Sequence, residues 1–163
     1  PYPEDHDSIA RFNDIFYRVK EFSNCAVLTG YEIGLSGLLK RGSDVWLNNP
    51  KMFREASGTS GMTAAMNGSI NLSIPDGWVP EFARDGENCF LVNHVTSDQR
   101  SQDEINAVEA ANLYSVLENE VLPTYYDKPA KWGRMMMKAM SDVVPAFTAD
   151  RMADEYYRLL YEA

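Results

Sequence analysis

Up to about residue 100, short apolar runs alternate with stretches of helical periodicity; beyond it, every stretch is helical. No other feature constrains the fold as strongly. Strands separated by helices pair in parallel through crossovers, and helices then cover both faces of the sheet. The expected class is therefore α/β, with residues 1–100 building the sheet part and residues 101–163 an all-helical tail. A length of 163 residues suits one domain with a real core.

Four strands are expected in the first part. They are Cys25-Ala26-Val27-Leu28-Thr29, Asp44-Val45-Trp46-Leu47-Asn48, Ile70-Asn71-Leu72-Ser73-Ile74 and Cys89-Phe90-Leu91-Val92, each bounded by turn residues. A helix over residues 7 to about 22 places Ile9, Phe12, Phe16 and Val19 on one face, with Asp7 or Ser8 as its cap. Shorter helices are expected over residues 33–40 and 62–67, the latter stopped by Gly68. Three amphipathic stripes fill the tail. Ala110, Leu113, Tyr114, Leu117 and Val121 form the first. Trp132, Met136, Ala139, Met140 and Val143 follow, in a helix opened by Pro129. Met152, Tyr156, Leu159, Leu160 and Ala163 form the third, behind a Thr148 cap. The run Met135-Met136-Met137 reads as core packing, not as an adaptable binding face.

A net charge of −9 argues against nucleic acid or an anionic membrane as partner. No run approaches the 18 apolar residues of a membrane helix. Cys25 and Cys89 each sit in an apolar stretch and are expected as buried free thiols of a cytoplasmic protein. His6 and His94 lack a partner at ligand spacing, so no metal site is expected. With Pro1 as its first residue inside a polar Pro/Asp-rich stretch, the sequence reads as a fragment of a longer chain.

Chemistry concentrates between the second and third expected strands, in Glu55-Ala56-Ser57-Gly58-Thr59-Ser60-Gly61-Met62-Thr63-Ala64-Ala65-Met66-Asn67-Gly68. This stretch lies at the carboxyl end of a parallel strand, where open α/β sheets bind ligands. Small residues from Ser57 to Gly61 let successive N–H groups point one way. Joined to a helix N-terminus, they suit an anion or the polar edge of a sugar. Glu55 could accept hydrogen bonds from sugar hydroxyls. The same residues also suit a plain strand-to-helix connection, with Ser57 or Thr59 as N-cap and Glu55 solvated. Neither a Walker A loop, a G-x-G-x-x-G fingerprint nor a G-x-S-x-G elbow is present.

Glu55-Ala56-Ser57-Gly58-Thr59 followed by Gly61-Met62 closely resembles the cofactor and substrate loop of the α-glucan (glycogen/starch) phosphorylase family. The flanks resemble it too: Ser43-Asp44-Val45-Trp46-Leu47-Asn48-Asn49-Pro50 before the loop, as in the short bacterial and archaeal members, and Met66-Asn67-Gly68 with Asp76-Gly77-Trp78 after it. The resemblance implies two Rossmann-like domains facing across a cleft (the GT-B arrangement), this chain being the latter half of the second. The facing N-terminal domain lies outside it, and a homo-oligomer is compatible with the family. It also implies roles. Glu55 would bind hydroxyls of the terminal glucose, and the amides of Ala56, Ser57 and Gly58 would hold the same sugar. Thr59, Ser60 and Gly61 would lie against the phosphate of pyridoxal phosphate. The implied reaction transfers a glucosyl unit between an α-1,4-glucan and phosphate, giving glucose 1-phosphate.

One residue departs from the family pattern. Where the family has the Schiff-base lysine, directly after the methionine, this chain has Thr63, which has no amine to form an imine. Three readings follow: a phosphorylase homologue with a binding or regulatory role, a related transferase using a sugar nucleotide, or a phosphorylase holding its cofactor without a covalent bond. The fragment alone is expected to be inactive, because a closed cleft needs donors from both domains.

Overall fold

The computed structural model describes residues 4–53, 58–95 and 100–162. The chain divides into two compact units, Pro1–Ser36 and Gly37–Ala163.

In the first unit, helix α1 spans His6–Val19. Its cap is Asp5, two residues before the nearer of the expected caps, whose carboxylate accepts from Ser8 N at 2.9 Å and Ser8 Oγ at 2.7 Å. Ile9, Phe12, Phe16 and Val19 share a face and are half-buried, with the Phe12 and Phe16 rings 6.2 Å apart. The strand expected at residues 25–29 does not form. A strand exists only where a neighbour pairs with its backbone, and these residues have no ladder partner among the described residues. Cys25, expected inside, is exposed. Helix α2, Ile33–Gly42, spans the division between the units.

The second unit is built on three parallel strands in the order β1-β2-β3: β1 Val45–Asn48, β2 Ile70–Ser73 and β3 Cys89–Leu91. Val45 pairs with Ile70, and Leu72 with both Leu47 and Phe90. Helix α3, Thr59–Met66, connects β1 to β2, and a one-turn helix α4, Val79–Phe82, lies between β2 and β3. The α/β class and the parallel pairing are as expected, with three strands in place of four.

Alternation along the strands sorts the core into two layers. Ile70, Leu72, Ile74, Phe90 and Val92 pack with Val116, Val121, Trp132 and Met135 from the tail. Cys89 faces the opposite layer, with Ala65, Trp78, Val79, Phe82 and Val143. Burial pushes the Cys89 thiol up to about 12, which makes it an unreactive packing group.

The tail runs as α5 (Gln102–Val116), a π-helical turn (Leu117–Val121), α6 (Leu122–Asp127), α7 (Pro129–Phe147) and α8 (Ala149–Tyr156), with a second π-helical turn at Tyr157–Tyr161. Ser101 and Glu104 close a capping box on α5, and Thr148 caps α8 as expected. The α7 stripe is core: Trp132, Ala139 and Val143 are buried, with Met136 and Met140 half-buried. The methionine run divides, Met135 being buried and Met137 exposed. In the first tail stripe Val121 is buried, but Ala110 and Tyr114 are exposed. The third tail stripe is a larger correction: Met152 and Tyr156 of α8 and Leu159 and Leu160 of the turn behind it are all exposed, and Ala163 lies outside the described residues. Among the described residues no helix is long and apolar enough to cross a membrane.

Candidate functional site

Because all three strands run parallel, the segments that follow β1 and β2 leave the sheet at the same, carboxyl end. Residues 49–53 follow β1 and residues 74–78 follow β2. Asp76 links these segments. One carboxylate oxygen accepts from its neighbour Gly77 N at 2.8 Å, the other from Phe53 N at 3.3 Å. Phe53 has φ 61°, a left-handed conformation that a bulky residue adopts only when its surroundings hold it there. The bond from Asp76 is one such restraint, placed at the entrance of the glycine-rich loop. Sequence reasoning missed this contact. Asp76 was legible as part of a motif, and the left-handed residue it steadies was not.

Of the expected site residues, Glu55, Ala56 and Ser57 lie outside the described residues. Gly58 is the N-cap of α3, with extended backbone (φ −74°, ψ 172°) and no side-chain cap hydrogen bond. Helix α3 begins at Thr59, three residues before the expected start, so Thr59, Ser60 and Gly61 form its first turn. Thr59 is therefore the first helical residue and not the cap. A first turn carries N–H groups with no partner inside the helix, at the positive end of its dipole. That arrangement suits an anion or a polar sugar edge.

Gly61 is held from below. Asn71, buried on β2, donates its side-chain amide to Gly61 O at 3.1 Å. A Cβ on Gly61 would lie 2.9 Å from Asn71 Oδ1 and 3.2 Å from Trp78 Cζ2. Glycine is needed here for close approach to the sheet, not for an unusual φ. Gly61→Ala is expected to destabilise the unit by about 1–3 kcal/mol through overpacking, read as a lower urea midpoint with unchanged slope. A midpoint equal to that of the unchanged chain would show that Asn71 and Trp78 yield freely.

Thr63 lies one turn further along α3. Its hydroxyl donates to Thr59 O at 2.9 Å, and Asn67 Nδ2 donates to Thr63 O at 2.8 Å. At the position where the resembled family carries an amine, this chain has a short hydroxyl turned back onto its own helix. The residues present fit a phosphate group at Thr59, Ser60 and Gly61. They do not fit a covalent bond to pyridoxal at position 63. Among the described residues, no group of histidine, cysteine, aspartate and glutamate is placed to hold a metal.

No family model matches the chain. An uncharacterised protein of Methanocaldococcus jannaschii is 41% identical over 163 residues, which is 99% of this chain and 30% of the relative. A maltodextrin phosphorylase of Thermococcus litoralis is 40% identical over 145 residues, 88% of this chain and 17% of that protein. A glycogen phosphorylase of Aquifex aeolicus is 40% identical over 141 residues, 83% of this chain and 20% of that protein. The chain thus spans less than a third of the length of these relatives. At about 40% identity over most of its residues, the chain is similar to one part of proteins named maltodextrin phosphorylase and glycogen phosphorylase.

Proposed function

We propose that this chain is the sugar- and phosphate-binding part of an α-glucan phosphorylase-like glycosyltransferase. In this reading it is the latter half of the second Rossmann-like domain of a cytoplasmic GT-B protein, and the rest of the relatives' length supplies the facing domain. In the reaction a phosphate oxygen bonds to the anomeric carbon of the terminal glucose. The glycosidic C–O bond breaks, and a proton passes to the departing 4-hydroxyl of the α-1,4-glucan. The observation that carries the proposal is the first turn of α3, whose N-cap Gly58 has no side chain, at the carboxyl end of a parallel strand and directly behind Glu55-Ala56-Ser57 in sequence. There Glu55 and the amides of Ala56, Ser57 and Gly58 hold glucose, while Thr59, Ser60 and Gly61 hold a phosphate group. The chain alone would turn nothing over, because it provides one wall of the cleft.

Thr63 favours a second reading, in which the phosphate on α3 belongs to a sugar-nucleotide donor or the protein binds glucan without turnover. One substitution separates enzyme from binder. In the full-length protein, Glu55→Ala is expected to raise the barrier by about 2–4 kcal/mol, a roughly 30-fold to several-hundred-fold loss in kcat/KM for glucose 1-phosphate release. A full-length protein that binds maltodextrin, loses that binding on Glu55→Ala and never releases glucose 1-phosphate would overturn the phosphorylase reading.

A further inference from the structure

A hollow of about 360 Å³ in the second unit is lined by Gly86, Glu87, Lys131, Arg134, Met135 and Lys138, and shares no lining residue with the α3 loop. Lys131, Arg134 and Lys138 recur at the spacing that puts side chains on one face of α7. Lys138 pairs with Asp142 at 2.6 Å. Asp142 also accepts from Asn88 Nδ2 at 2.8 Å and has Arg84 at 3.7 Å. Burial pushes the Asp142 carboxyl up, but the hydrogen bonds from Lys138 and Asn88 and the charges of Lys138 and Arg84 outweigh it and hold the group below its ordinary value. The nearby acid is therefore ionised and already shared. Among the described residues, no carboxylate lies within ion-pair distance of Lys131 or Arg134, and Glu87 is the one acid on the wall.

The placement of these cations is unfavourable without a ligand. Lys128 is the N-cap of α7, Lys131 and Arg134 follow within its first two turns, and the first turn holds no acid. The N-cap and first turn, with Lys128 and Lys131, are the positive end of the helix dipole, where a cation costs roughly 0.3–1 kcal/mol, an effect that falls off before Arg134. A chain of net charge −9 has carboxylates enough to place there. An anion in the hollow would offset that cost. Gly86, at φ +72°, gives it room, since a Cβ there would lie 4.0 Å from Lys131 Nζ. The volume exceeds that of a bare phosphate, and Met135 with the lysine stems offers an apolar wall.

We infer that this hollow binds a small phosphorylated anion, its phosphate held by Lys131 and the planar fork of Arg134 beside the Gly86 turn. The test is a titration of the chain with glucose 6-phosphate and, separately, inorganic phosphate at constant ionic strength, followed by amide NMR shifts. Saturable shifts are expected at Gly86, Glu87, Lys131 and Arg134. Tighter binding of the ester identifies a phosphorylated metabolite as the ligand; equal binding identifies phosphate itself. Lys131→Ala with Arg134→Ala should weaken binding by at least about tenfold, two charged contacts being lost. Glu87→Gln, which keeps shape and removes the opposing charge, should tighten it severalfold. Shifts matched by sodium chloride, or affinity indifferent to both sets of substitutions, would overturn the inference.

Discussion

Trp78→Ala is expected to cost about 3–5 kcal/mol of folding stability, the largest single loss among the residues around the site. The Trp78 ring is 4% exposed. It stacks on Phe82 at 4.3 Å and 6°, and meets Phe147 edge-on at 5.3 Å and 79°. It also lies against Gly61 of α3, and its core layer contains Ala65 of α3, Cys89 of β3 and Val143 of α7. Removing it leaves a hole that none of these can fill alone. Trp78→Phe makes the comparison informative. The buried Trp78 Nε1 has no hydrogen-bond partner among the described residues, and an unpaired buried donor costs about 1–3 kcal/mol. Phenylalanine keeps most of the stacking and removes that donor, so its loss should be well under half that of alanine. Chemical denaturation of the three proteins decides the matter. A phenylalanine variant as unstable as the alanine one would show that Nε1 is bonded after all, and that the ring is needed for its hydrogen bond as much as for its bulk.

Trp78 also shows what was legible in advance. Its place after Asp76-Gly77 was readable as a motif, and the run from Ile70 to Ile74, bounded by turn residues, was readable as a strand. Local pattern was enough to place that strand, whereas its cover comes from far along the chain, in Val116, Val121, Trp132 and Met135. Two of the failures share one physical cause. An apolar run at residues 25–29 and the third amphipathic stripe of the tail both announce a face that prefers cover, but neither says what covers it. Within the described residues the first has no pairing strand, and the second leaves Leu159 68% exposed. The α3 boundary failed differently. Small polar residues were read as loop, and their helical turn is pinned by Asn71, a buried amide on the next strand that looks from sequence like any strand residue. Contacts of this kind, between a polar side chain and a distant carbonyl, leave no periodic trace.

The full-length protein is expected to form no Schiff base with pyridoxal phosphate at position 63, and Thr63→Lys is expected to create one. The argument turns on one hydroxyl. An aldimine needs an amine on a stem long enough to reach the aldehyde; Thr63 is short and branched, and its Oγ1 is engaged with Thr59 O at 2.9 Å. Its position on α3 is half-buried, so a lysine stem can lie along the helix and carry its ammonium outward. The exchange should not disturb folding. Lysine is the better helix former by a few tenths of a kcal/mol, the back-bond given up is mildly helix-bending, and the Asn67 contact is to the backbone carbonyl and survives. The measurement is borohydride reduction after incubation with pyridoxal phosphate, followed by peptide mass analysis. The unchanged protein should show no mass increase on the peptide spanning Gly58 to Met66, and the lysine variant one reduced adduct there. Gain of glucose 1-phosphate release together with the adduct would mean that the cleft is otherwise that of a phosphorylase. The adduct without release would assign the α3 phosphate site to another donor. A stable adduct in the unchanged protein, on any lysine that packs against Thr59, Ser60 and Gly61, would refute the expectation outright.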